Sequence, residues 1–208
     1  MRTFTYKKQS ELTPDEAFDI LHAGNHRFVN NLQSNRNLLQ QVNETREGQY
    51  PFAAILSCMD SRTSVELIFD QGLGDILSMR IAGNVLNEDF LGCMEYSANY
   101  IGIKLLVVLG HSDCGAIIGA CDNIRYGSFT KVIEKIQPAI DAETKTTTDR
   151  NGKNKEYIYN VTENNVHLTL ARIRNESKII SDLENNGVIR IVGGLYDVET
   201  GHVDFFDK

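Results

Sequence analysis

Lys104-Leu105-Leu106-Val107-Val108-Leu109-Gly110-His111-Ser112-Asp113-Cys114-Gly115 runs from five consecutive apolar residues into a loop carrying a histidine, a carboxylate and a cysteine. A short unbroken apolar run that stops at glycine reads as a strand buried on both faces of a parallel sheet. Phe52-Ala53-Ala54-Ile55-Leu56, following Pro51, has the same character, and it runs into Ser57-Cys58-Met59-Asp60-Ser61-Arg62. In open parallel sheets functional groups gather where the strands end in loops, at the C-terminal edge. If these two strands are neighbours, Cys58, His111 and Cys114 converge on one point.

Working outward, Ile76 to Ile81 and Val188 to Val192 read as further strands. Glu199-Thr200-Gly201 reads as a turn into His202 to Phe206, an antiparallel edge strand. Phe90, Met94, Ser97 and Ile101 recur at helical spacing, with Gly102 at the C-terminal end. Thr13-Pro14-Asp15-Glu16 carries a capping residue, a proline at the first helical position and a capping-box glutamate, which predicts a helix over about 13–31. Thr162 is expected to cap a long helix bearing Val166, Leu170, Ile173 and Ile180, and the polar stretch 141–156 is expected to be an exposed loop. Strands alternating with helices predict a single α/β domain over 1–208, with a mostly parallel β-sheet flanked by helices and an antiparallel edge strand.

Composition narrows the function. Charged residues make up 24% and hydrophobic residues 41%, an ordinary globular balance, and the net charge of -7 argues against a nucleic-acid partner. No apolar run approaches the ~20 residues that cross a bilayer. Met1 to Lys8 has no apolar segment behind its basic residues, so the expected compartment is the cytoplasm, where clustered Cys and His serve metals more often than disulfides.

Thiolates and imidazole are the preferred partners of zinc, and three protein ligands leave its fourth position open for chemistry. Cys93 and Cys121 fall on helices and read as small buried core residues, so the site is expected to be catalytic rather than a closed structural one. His22 and His26, four apart on the first helix, and His167 and His202 read as surface or packing residues. Gly72-Leu73-Gly74 and Gly193-Gly194 lack dinucleotide-binding spacing and read as turn residues.

Cys58-Met59-Asp60-Ser61-Arg62 followed by His111-Ser112-Asp113-Cys114-Gly115 resembles the paired C-x-D-S-R and H-[ST]-x-C-G motifs of the β-class carbonic anhydrases. The likeness continues through Arg80-Ile81-Ala82-Gly83-Asn84 and Val192 to Asp197. The resemblance implies one zinc ion per subunit on Cys58, His111 and Cys114, and a zinc-bound hydroxide that converts carbon dioxide to bicarbonate. It implies an Asp60–Arg62 dyad, with Asp60 alternatively leaving Arg62 to become the fourth ligand of a closed site. It implies Gln49 as a substrate-orienting amide, Leu77 and Ala82 as pocket walls, and a homodimer or homotetramer in which the helix beginning at Thr13 is an arm embracing the partner subunit.

Two departures stand out. Thr63-Ser64 replaces a common Val-Pro, where a packing change without chemical consequence is expected. Arg80 and Tyr196 match two positions of a regulatory bicarbonate pocket, but Ile55 stands where its tryptophan would be and the chain has no tryptophan, which argues against such regulation. The alternatives are a related hydrolase of carbonyl sulfide or carbon disulfide, which would share the ligands, and a non-enzymatic zinc or bicarbonate binder, which would not need the dyad.

Overall fold

The computed structural model describes residues 3–206. Its helices are α1 (Tyr6–Glu11), α2 (Pro14–Val29), α3 (Leu38–Thr45), α4 (Val65–Ile68), α5 (Glu88–Tyr96), α6 (Gly115–Cys121), α7 (Phe129–Ala142), α8 (Lys155–Glu176) and α9 (Lys178–Asn185). Its strands are β1 (Ala53–Ser57), β2 (Ile76–Arg80), β3 (Leu105–His111), β4 (Arg190–Tyr196) and β5 (Val203–Phe205). They form one sheet in the order β2-β1-β3-β4-β5, parallel except for the antiparallel β4–β5 pair. This is the expected α/β architecture. From β1 the chain steps to β2 on one side and then returns to β3 on the other. The C-terminal ends of β1 and β3 therefore flank the point where the strand order reverses, the usual place for a crevice in such sheets.

Alternation along β1 explains the layering. Ala53 and Ile55 face one cluster with Phe52, Val65, Phe69, Leu105 and Val107, and Ala54 and Leu56 face another with Met94, Leu106, Val108 and Leu170. Helix α2 covers the first face, burying Ala17 and Leu21 completely. Its predicted cap is present: Thr13 accepts from the Glu16 N–H and the Glu16 carboxylate accepts from the Thr13 N–H. The helix expected to be an arm thus packs on its own sheet. In α3, by contrast, Leu38, Leu39 and Val42 are exposed.

Several elements differ from expectation. β4 runs to Tyr196 because Gly193 and Gly194 lie inside the strand; a Cβ on Gly193 would come within 2.8 Å of Leu170 Cδ1 and Val166 Cγ1, so glycine here lets α8 approach the sheet. Helix α8 begins at Lys155 with Asn154 as its cap, and Thr162 lies within it, its buried hydroxyl donating back to the Ile158 carbonyl at 2.7 Å. Cys93 is exposed on the solvent side of α5, since helical periodicity turns Met94 inward, and Cys121 is only half-buried. His22, His26, His167 and His202 are on the surface, and no helix among the described residues is long and apolar enough to cross a membrane.

The segment 141–156 is for the most part the exposed loop expected, with one buried tie. Its first two residues close α7, its last two open α8, and between them Glu143 is buried. The Glu143 carboxylate accepts from Arg150 and from the Thr146 N–H at 2.8 Å, while the Arg150 guanidinium lies 4.7 Å from the Tyr157 ring centre. A run of charged and polar residues hides this pairing, which only folding reveals. Replacing Glu143 with alanine removes the buried end of this pair, while the Arg150 side chain, 35% exposed, keeps its bonds to the Ile140, Glu143 and Thr146 carbonyls. We expect a loss of about 1 kcal/mol, measured as a shift of the denaturant midpoint at unchanged slope.

Candidate metal centre

β1 and β3 pair with Ser57 opposite Leu109, so Cys58 and His111 leave the sheet at nearly the same level. Cys114 follows from the tight turn through Asp113, whose φ of 53° is tolerated by aspartate. All three side chains are buried, and one ligand atom from each lies within 4.8 Å of the others. The two sulfurs are 3.9 Å apart. The strand tips therefore bring together the three residues expected to do so.

His111 is held in one tautomer. Its Nδ1 lies 2.8 Å from the Ser112 carbonyl, which can only accept, so Nδ1 carries the hydrogen and Nε2 presents a lone pair. That Nε2 is buried and lacks a hydrogen-bond partner. Ser112 is itself fixed: its hydroxyl accepts from the Val198 N–H at 2.9 Å and donates to Asp197 at 3.3 Å.

The sulfurs divide their proton affinity. The hydrogen bond from Cys114, helped by the N–H groups of Asp60 and Gly83, lowers Cys58 well below an ordinary thiol despite its burial. The neighbouring Cys58 sulfur and burial push Cys114 well up. The pair thus gives up one proton easily and holds the other, because two thiolates at this spacing repel unless a cation lies between them. An orphaned imidazole nitrogen beside two sulfurs is a donor set suited to a soft or borderline divalent metal.

Asp60 belongs to the same loop but points elsewhere. Its Oδ1 accepts from Arg62 Nε at 2.9 Å and from the Arg62 N–H at 2.9 Å, and its Oδ2 accepts from Arg62 Nη2 at 2.8 Å. This is the paired alternative, with the carboxylate on the guanidinium and outside the group of three. The hydrogen bonds from Arg62 outweigh burial and hold Asp60 well below the usual carboxylate range.

The other predicted residues are more scattered. Ala82 packs against the cluster containing Cys58, Cys114, Val85 and Ile117, whereas Leu77 packs with the neighbouring one of Leu56, Leu86 and Met94. Gln49 is exposed and precedes β1, near Gly74, so it lies at the opposite edge of the sheet from Cys58. The strand between them spans about 17 Å. One chain therefore does not bring Gln49 to its own Cys58, His111 and Cys114.

Two contributions escaped the sequence reading. The turn Ala82–Asn84 places Gly83 at φ 66° with its N–H directed at the Cys58 sulfur, and a Cβ there would meet Ile136 Cδ1 at 2.9 Å. Gly83 had been noted within a motif, without a role. Thr63 is buried and bonds the loop itself rather than altering packing alone: its hydroxyl lies 2.8 Å from the Cys58 carbonyl and 2.9 Å from that of Asp60. Its departure from the common valine was the available signal.

The family model described as carbonic anhydrase matches residues 53–203. The chain is 34% identical over 196 residues to carbonic anhydrase 2 of Mycobacterium tuberculosis (strain ATCC 25618 / H37Rv), covering 90% of each chain. Its fold is similar to that of a β-carbonic anhydrase of Aspergillus fumigatus (TM-score 0.70, 21% identity, 81% of each chain). It is also similar to a structure from a study of two tetrameric β-carbonic anhydrases of Sordaria macrospora (TM-score 0.68, 20% identity, 81% of this chain and 90% of that one).

Because the Asp60 carboxyl is depressed in the folded chain, its contribution to stability is present above the ordinary carboxylate range and is lost as pH falls through the lower folded value. In a carboxyl-carbon NMR titration, Asp60 should remain ionised near pH ~4, where free carboxyls are half protonated. In Arg62→Ala the same signal should titrate there.

Proposed function

The chain belongs to the β-class carbonic anhydrases, enzymes of reversible carbon dioxide hydration, and we propose that it works with one zinc ion held by Cys58, His111 and Cys114. The observation that carries this reading is the buried, unpartnered His111 Nε2 facing two sulfurs 3.9 Å apart. Zinc bound there would supply Lewis acidity, bringing the ionisation of water towards neutral pH.

The chain's own residues then have distinct tasks. His111 contributes a neutral lone pair, its tautomer set by Ser112. Cys58 and Cys114 bind as thiolates, and their two negative charges match the ion. That neutralisation makes the centre a weaker acid than one built from three neutral imidazoles, so a further group is needed to steer the nucleophile. Asp60 fills that role in our reading. Kept ionised by Arg62, it can only accept hydrogen bonds, so it would accept one from the nucleophile, which keeps its hydrogen and turns a lone pair towards the substrate carbon. If Asp60 instead moved onto the metal, it would close the site to water.

Carbon dioxide is small and apolar, and we assign Ala82 as a wall of its pocket; Leu77 pairs with Ala54 near the start of β1, in the neighbouring cluster, so it does not line the pocket beside its own Cys58. For Gln49 to orient substrate its amide must come from a second copy, since its own sheet separates it from its own cysteines. This agrees with a homodimer or homotetramer and gives the exposed Leu38, Leu39 and Val42 of α3 a covering.

Stopped-flow hydration assays test the reading. The zinc-loaded wild type should contain one zinc per chain by metal analysis and accelerate hydration, and Cys58→Ala should lose both. Asp60→Asn should keep its zinc while kcat/KM falls at least ~100-fold. A zinc-loaded wild type no faster than Cys58→Ala would overturn the assignment. Gln49→Ala should keep zinc and lose kcat/KM, and mixing it with Cys58→Ala chains should restore part of the activity, because a shared site can then combine an intact metal centre with an intact amide.

A further inference from the structure

We propose that Thr63, together with Arg80, forms a clamp on the Cys58 and Asp60 carbonyls that holds Asp60 on Arg62, making Thr63 a positioning residue for the reaction. The inference rests on the reading of Asp60 and Arg62 as the working dyad.

The loop 58–63 consists of two turns nested on Asp60. The Asp60 carbonyl accepts from the Thr63 N–H at 3.0 Å, and the Asp60 side chain accepts from the Arg62 N–H at 2.9 Å. The orientation that offers Oδ1 to both Arg62 N–H and Arg62 Nε–H is kept while the carbonyl points back towards Thr63. That direction is heavily restrained. The Thr63 hydroxyl, a single proton facing two acceptors, lies within reach of both carbonyls. Arg80, at the end of β2, donates through Nε to the Cys58 carbonyl at 3.1 Å and through Nη2 to the Asp60 carbonyl, and the same Nη2 donates to the Thr63 hydroxyl at 3.3 Å. Threonine is thus donor and acceptor at the junction of a metal-ligand residue, the dyad and a strand end.

Thr63 is 1% exposed, so solvent cannot readily replace its hydroxyl. Valine has nearly the same shape and neither donates nor accepts there. Replacing threonine with valine therefore isolates the hydrogen bonds from the packing. Removing one such bond shifts a local equilibrium roughly two- to tenfold.

The test is residue-resolved hydrogen exchange on the full chain, with and without added zinc, for wild type, Thr63→Val and Thr63→Ser. In Thr63→Val the amides of Arg62 and Thr63 and the Arg62 Nε–H should exchange roughly two- to tenfold faster, with Val107 and Val108 in β3 unchanged. Thr63→Ser keeps the hydroxyl and should stay close to wild type. Equal local exchange in all three proteins, or a serine variant that behaves like valine, would overturn the clamp. The readout does not depend on turnover. An inactive wild type with a valine-sensitive loop would refute the proposed function alone, and unaltered exchange in an active enzyme would refute the clamp alone.

Discussion

Two buried sulfurs 3.9 Å apart, with an unpaired imidazole nitrogen beside them, are the constraint around which the rest is organised. Both sulfurs cannot be anionic at that spacing in a dehydrated setting without a cation to offset their repulsion. A fold that assembles such a group therefore creates a demand for a cation if both sulfurs are to be thiolates. The demand arises because β1 and β3 are adjacent and parallel, so their C-terminal ends deliver Cys58 and His111 to one level and the turn through Asp113 returns Cys114 to the same place.

Around this point the protein invests in position rather than in extra charge. Ser112 sets the tautomer of His111, the Gly83 turn aims an N–H at Cys58, and Asn165 on α8 holds the Gly83 carbonyl at 2.9 Å. The loop that carries the dyad is tied through Thr63 and Arg80 to the end of β2. Each support comes from a different element, so Cys58, His111 and Asp60 inherit the rigidity of the sheet instead of the mobility of a surface loop.

The chain also carries features that lie away from the cysteines. Helix α2 satisfies its apolar face on its own sheet, while α3 leaves Leu38, Leu39 and Val42 in solvent. Gln49 precedes β1 at the edge opposite Cys58. The position of Gln49 has its geometric origin in the direction of β1, which separates the amide from the cysteine by the length of a strand.

Much of this was legible in the residues. Unbroken apolar runs announced buried parallel strands, the Thr13–Glu16 capping box announced α2, and thiol and imidazole types at two strand ends announced a group able to hold a metal, because period, capping chemistry and ligand softness are local properties. The start of α8, the strand role of Gly193 and Gly194, and the pairing of Glu143 with Arg150 were not legible, since each depends on which surface a residue meets after folding. The same holds within the site. Sequence alone determined which atoms could bind metal and which carboxylate could partner Arg62. Tertiary structure decided that Asp60 lies on the guanidinium, that Gln49 faces away from its own cysteines and that Thr63 bonds the loop, because distance and direction between residues remote in the chain exist only once the sheet has formed.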